Sequence, residues 1–80
     1  MLEVMNFGLE INFKGKTFAN VEELEQQVSR RLGMAIKLNK KFFHPQLNKY
    51  LMVKVEIKEE KYPIVNYEFI VVEKIEVVEV

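Results

Sequence analysis

Apart from carboxylates, amines and phenols, this 80-residue chain has only Ser29, Thr17 and His44 with which to attack a substrate or move a proton. It has no cysteine, and all twelve of its acids are glutamate. Nucleophilic catalysis needs a nucleophile, a base and an orienting acid in mutual contact. Ser29 falls inside a helical pattern, where it reads as a solvated helix serine. Thr17 sits beside a turn. His44 precedes Pro45 and reads as a surface loop residue. Glutamate pairs perform acid–base chemistry in glycosidases, but no spacing here brings two of them to one cleft. The expectation is a protein that is not an enzyme, with no catalytic residue. A small hydrolase or nuclease using His44 and a glutamate is the least favoured alternative.

Two other chemistries are weighed on the same residues. A lone histidine without cysteine or aspartate is a poor donor set for a transition metal, so neither a metal nor another cofactor is expected. Gly15-Lys16-Thr17 matches the end of a phosphate-binding loop, but position 10 is Glu where that motif needs glycine. Phe18 to Asn20 also stand between the Lys-Thr pair and the next helix, which in that motif follows directly. A tight turn accounts for these three residues.

Charge is the more informative feature. Residues 1–25 hold five Glu and two Lys, and residues 56–80 hold seven Glu and three Lys. Between them, residues 26–55 hold seven cations and no acid: Arg30, Arg31, Lys37, Lys40, Lys41, Lys49 and Lys54. The net charge of zero thus conceals a basic middle between two acidic ends. Aromatics interleave with these cations at Phe42, Phe43 and Tyr50. Cations neutralise phosphates or carboxylates, and aromatic rings stack on bases or fill partner pockets. Lys37, Lys40, Lys41, Phe43, Lys49 and Tyr50 are therefore the candidate residues for an anionic partner. Neighbours on a strand point to opposite faces, so one of Phe42 and Phe43 is expected on the solvent face.

These features point to a non-catalytic protein-interaction module, an inhibitor or adaptor of the kind found among small phage or mobile-element proteins. The alternative is a nucleic-acid-binding domain using segment 30–54, although no RNP- or KH-type motif is present. The expected partner is another protein, with nucleic acid second and a homodimer as a further expectation, the acidic C-terminal segment offering an edge strand. No membrane association is expected, since the strongest apolar run, residues 69–72, is far short of the roughly 20 residues that span a bilayer. The first residues lack the order of a signal peptide, so a cytoplasmic location is expected.

The elements that must position these residues follow from periodicity. Eighty residues make a single domain, 1–80, with no repeat or linker. Leu9, Ile11 and Phe13 alternate with polar residues and read as a strand, which Leu2 and Val4 begin and Gly8 bends. Residues 14–16 turn the chain into a short return strand at Thr17 and Phe18. Asn20 is an N-cap, with Glu23 in the capping-box place. Val21, Leu24, Val28 and Leu32 form an apolar stripe that ends at Gly33. Met34, Ile36 and Leu38 read as another strand, continued or followed by residues 40–43. His44 to Asn48 form a loop, and Leu51, Val53, Val55 and Ile57 form the clearest strand. Residues 59–63 turn the chain. Residues 64–72 are apolar on both faces, as in a central strand, and 75–80 continue it past an irregularity at Glu73 and Lys74. The expected fold is α+β: one helix packed on one face of a mostly antiparallel sheet of four to five strands, in the order ββαβββ.

Overall fold

Residues 21–32 become a helix because both of its ends are chemically closed. The computed structural model describes residues 4–5, 7–62 and 67–80. Within it, Asn20 Oδ1 accepts the Glu23 N–H at 2.8 Å, and the Glu23 carboxylate accepts the Ala19 N–H at 3.0 Å. The second bond reaches one residue further back than an ideal capping box. At the other end Gly33 adopts the left-handed conformation, with φ 77°. Its N–H bonds the Arg30 carbonyl, and the Met34 N–H bonds the Ser29 carbonyl at 3.1 Å. This pair of bonds is a Schellman closure, which glycine enters without a Cβ clash.

The element order is β1 (Val4–Met5), α1 (Leu9–Phe13), β2 (Thr17–Phe18), α2 (Val21–Leu32), β3 (Lys41–His44), β4 (Lys49–Tyr62) and β5 (Tyr67–Glu79). The strands form one antiparallel sheet in the order β1-β5-β4-β3, with β2 also paired to β5. The α+β class, the long helix and the antiparallel sheet are as expected. The long hairpin of β4 and β5 sets the shape. At about 3.3 Å per residue, its 14 and 13 residues account for the 48 Å long axis.

One face of this sheet is the core. Leu51 and Val53 of β4 lie on it with Ile70, Val72, Ile75 and Val77 of β5, and all six are buried. Leu24 and Val28 of α2, Leu9 and Phe13 of α1, and Ile36 join the same cluster, and Val55, Ile57 and Leu32 pack at its margin. The alternation in β5 changes parity at Glu73. Glu56 pairs with Lys74 but Ile57 with Val72, so Glu73 is an extra residue, a β-bulge. The irregularity expected at Glu73 and Lys74 is therefore present. It lets Val72 and Ile75, three residues apart, point into the same core.

Several expectations change. Residues 9–13 are a helix, not a strand. The pattern Leu9-x-Ile11-x-Phe13 satisfies a period of two, but Leu9 and Phe13 are also one helical turn apart, and those two alone are buried. Ile11 is 79% exposed. Gly8, at φ 79°, cannot continue a strand and opens the helix instead. The return strand β2 consequently pairs with β5 rather than with residues 9–13. Residues 34–38 are not a strand either. Their backbone groups are taken by helix side chains: Ser29 Oγ accepts the Ile36 N–H at 3.1 Å, and Glu25 accepts the Leu38 N–H at 3.1 Å. The turn expected at 59–63 begins later, since β4 runs to Tyr62. Val21 is 40% exposed and lies outside the buried stripe. The expectations for Leu2 and for residues 63–66 fall outside the described residues.

Replacing Leu24, fully buried, by alanine should lower unfolding stability in urea by about 2–5 kcal/mol. Val21→Ala should cost no more than about 0.5 kcal/mol, as at other surface sites. Equal losses would show that α2 is turned differently on the sheet.

Candidate functional site

The sheet face opposite the core has no helix on it among the described residues. Strand alternation and register place Lys41 and Phe43 of β3, and Tyr50, Met52 and Lys54 of β4, on this face. Phe43 and Tyr50 are 43% and 49% exposed. They are directly cross-strand neighbours, and their rings meet edge to face at 5.2 Å between centroids. Lys41 Nζ lies 4.7 Å from the centre of the Tyr50 ring. Such a contact holds a cation without cancelling its charge. Phe42 points to the core side and is half-buried, so the exposed member of the pair is Phe43.

The rest of this face is electrostatically balanced. Lys54 opposes Glu76, and Glu56 opposes Lys74, across the hairpin. Lys58 Nζ lies 3.1 Å from Glu60 Oε1, and that carboxylate raises the Lys58 pKa above its ordinary value. Toward the far end Tyr62 stacks on Phe69 at 5.7 Å. This second aromatic pair was hidden in the sequence, because Tyr62 falls in the segment read as a turn. Lys41, which has no ion-pair partner among the described residues, therefore lies beside the exposed rings of Phe43 and Tyr50.

The other three predicted residues lie elsewhere. Lys49 is on the core side at the sheet's end, half-buried, with Nζ 3.4 Å from Glu79 Oε2. It is a structural ion pair and does not join the patch. Lys37 and Lys40 precede β3 in the segment that crosses from α2. Lys37 Nζ lies 3.3 Å from Glu25 Oε1. The hydrogen bond from the Leu38 N–H, aided by Lys37 and Lys40, holds the Glu25 carboxyl below its ordinary pKa of 4.5. Asn39, at φ 59°, ends this crossing by imitating a strand: its N–H bonds the Val53 carbonyl at 2.8 Å and its Oδ1 accepts the Val55 N–H at 2.9 Å.

Two of the three polar residues weighed for catalysis, His44 and Ser29, have structural partners. His44 is not a surface loop residue. It ends β3, is 5% exposed, and its Nδ1 accepts the Leu47 N–H at 3.2 Å across the turn. An accepting Nδ1 leaves the ring proton on Nε2. Phe7 packs on the ring at 5.8 Å. Ser29 is not simply solvated, since its hydroxyl accepts the Ile36 N–H and donates to the Ile36 carbonyl. Thr17 lies opposite Val71 on β2, exposed. Among the described residues no three His, Cys, Asp or Glu converge as a metal site. Among the described residues no helix is long and apolar enough to cross a membrane. Comparison of the chain with protein-family models, with curated proteins and with solved structures finds no match.

Two outcomes follow from these contacts. Replacing His44 by alanine strands the Leu47 N–H and removes the Phe7 contact, so stability should fall by about 1–3 kcal/mol. Unchanged urea unfolding would show that the turn does not need the imidazole. For Glu25 the lowered folded pKa makes its contribution complete above pH 4.5, the ordinary value, and lost as pH falls through the folded pKa. Glu25→Gln should therefore flatten the acid limb of the stability-versus-pH curve below that value, measured by urea unfolding at stepped pH. An acid limb identical to the parent's would contradict the Leu38 bond.

Proposed function

We propose that this chain is a non-catalytic module, an adaptor or inhibitor, that binds another protein through the open sheet face, with Lys41, Phe43 and Tyr50 at the centre of the contact. The observation that carries this reading is the exposure of two touching aromatic side chains beside a held cation, on a sheet face left uncovered by the helices. Aromatic residues dominate binding energy at protein interfaces because they bring large apolar area at small cost in side-chain entropy. A hydrogen-bonded antiparallel face is largely preformed, so little ordering entropy offsets the contact. The alternating Lys and Glu further along the face fit a partner of mixed charge.

A second reading, binding of single-stranded nucleic acid, has one observation in its favour. A cation poised above an exposed Tyr resembles the way such proteins stack a base and neutralise its phosphate. Glu56, Glu60 and Glu76 weigh against it, since a strand laid along this face would pass over their carboxylates.

The test is affinity purification from the native host with and without nuclease, using the parent chain and a Phe43→Ala, Tyr50→Ala variant shown to be folded. The expected outcome is one or more proteins held by the parent, released by the variant and unaffected by nuclease. Recovery of nuclease-sensitive material would favour the second reading. Equal capture by the variant would remove the aromatic patch from the account.

A further inference from the structure

A second surface lies on the opposite side of β3. There α2 and residues 35–42 bound an open groove of about 710 Å³. Ala35, Ile36 and Phe42 supply its apolar lining, and Arg30, Lys37 and Lys40 supply cations along its rim. We infer that this groove takes an extended, acidic segment of a partner protein, which adds to the sheet as a strand beside β3. The inference rests on the protein-binding reading; the groove shares Lys41 with the aromatic patch but neither of its exposed rings.

Three observations carry it. The first is topological. β3 is the outermost strand in the order β1-β5-β4-β3, and among the described residues no strand lies on its outer side. Alternate N–H and C=O groups of such an edge point away from the sheet and are open to pairing with another extended chain. An added strand sits about 4.8 Å from its neighbour, which brings its side chains over Phe42 and toward α2.

The second observation is rigidity. The wall formed by residues 35–38 is bolted to α2 by the Ser29–Ile36 and Glu25–Leu38 hydrogen bonds. The groove is therefore formed before any partner arrives, and binding does not have to order it.

The third observation is charge. Of the two acids on the rim, Glu25 is engaged by Lys37 and by the Leu38 N–H, and Glu22 lies near the N-terminal end of α2. Arg30 and Lys40 have no ion-pair partner among the described residues. Carboxylates on the incoming segment would meet them directly. The chain's own acidic, apolar stretch cannot serve as the occupant, because Glu73, Glu76 and Glu79 belong to β5, which is already paired within the sheet. The groove also lacks an exposed ring on which a base could stack, since Phe42 is half-buried.

The test is fluorescence anisotropy of the full chain with three labelled, end-capped peptides of roughly eight residues, a strand's length. One alternates glutamate and valine, one replaces each glutamate by lysine, and one repeats the first with alternate amides N-methylated. The acidic peptide should bind, and the lysine and N-methylated peptides should each bind at least about tenfold more weakly. An Arg30→Glu, Lys40→Glu variant, its circular dichroism matching the parent's, should lose about tenfold for the acidic peptide. A Tyr62→Ala variant, changed at the far end of the hairpin, should bind it unchanged, and capture through the aromatic patch is read separately by the Phe43→Ala, Tyr50→Ala variant. Absence of binding by the acidic peptide up to about 1 mM would overturn the proposal. So would equal binding by the N-methylated peptide, which cannot pair with an edge, or by the lysine peptide.

Discussion

The parity switch at Glu73 is the constraint on which the rest of the molecule depends. β5 is the strand that β1, β2 and β4 all pair with, and it must offer apolar side chains to one core along its whole length. Its apolar residues on the core side are Ile70 and Val72, then Ile75 and Val77. Unbroken alternation from Val72 would instead turn Lys74 and Glu76 inward, and burying two charges without partners is far costlier than one unpaired bulge residue. The bulge keeps those charges on the open face, where they oppose Glu56 and Lys54 across the hairpin. The same register places Leu51 and Val53 under α2 and leaves Tyr50 and Met52 on the other side. The core, the helix-covered face and the open face thus follow from one extra residue in one strand.

Much of this was legible in the sequence, for identifiable reasons. The α2 helix carries its caps in Asn20, Glu23 and Gly33, all local chemistry that no distant contact needs to supply. An irregularity at Glu73 and Lys74 was legible because two charges interrupt the apolar run, but the parity it switches was not, since residues 69–72 are apolar at odd and even positions alike. The choice between Phe42 and Phe43 was not legible, because neighbouring aromatics look alike until the register with Leu51 and Tyr50 is set. The two misread strands share a cause. Over five residues a period of two and a spacing of four give the same apolar pattern, as at Leu9 and Phe13. At Met34, Ile36 and Leu38 the inward alternation is real, but the backbone bonds go to Ser29 and Glu25, which pattern alone does not reveal. The centrality of β5 was legible at residues 69–72, apolar on both faces, but farther along it is a property of topology, and pairing with β1 removes the expected C-terminal edge.

The candidate site was legible as a set of residue types and not as a constellation. The basic middle of the chain divides in three dimensions: Lys41 joins Phe43 and Tyr50 on the open face, Lys37 and Lys40 border the groove beside α2, and Lys49 is tied to Glu79. Long-range charge segregation in the sequence therefore becomes two short-range surfaces on either side of β3. His44 and Ser29, the residues most open to a catalytic reading, are used to hold the turn and the groove wall.

The central claim is that the open face around Lys41, Phe43 and Tyr50 is where a protein partner makes contact. Backbone amide chemical-shift mapping of the labelled chain, titrated with the purified partner, tests it most directly. The account predicts that the largest changes fall on β3 and on β4 from Lys49 to Lys54, with α1 unaffected. Changes concentrated on α1 and the turn after it, with β3 and β4 silent, would contradict it.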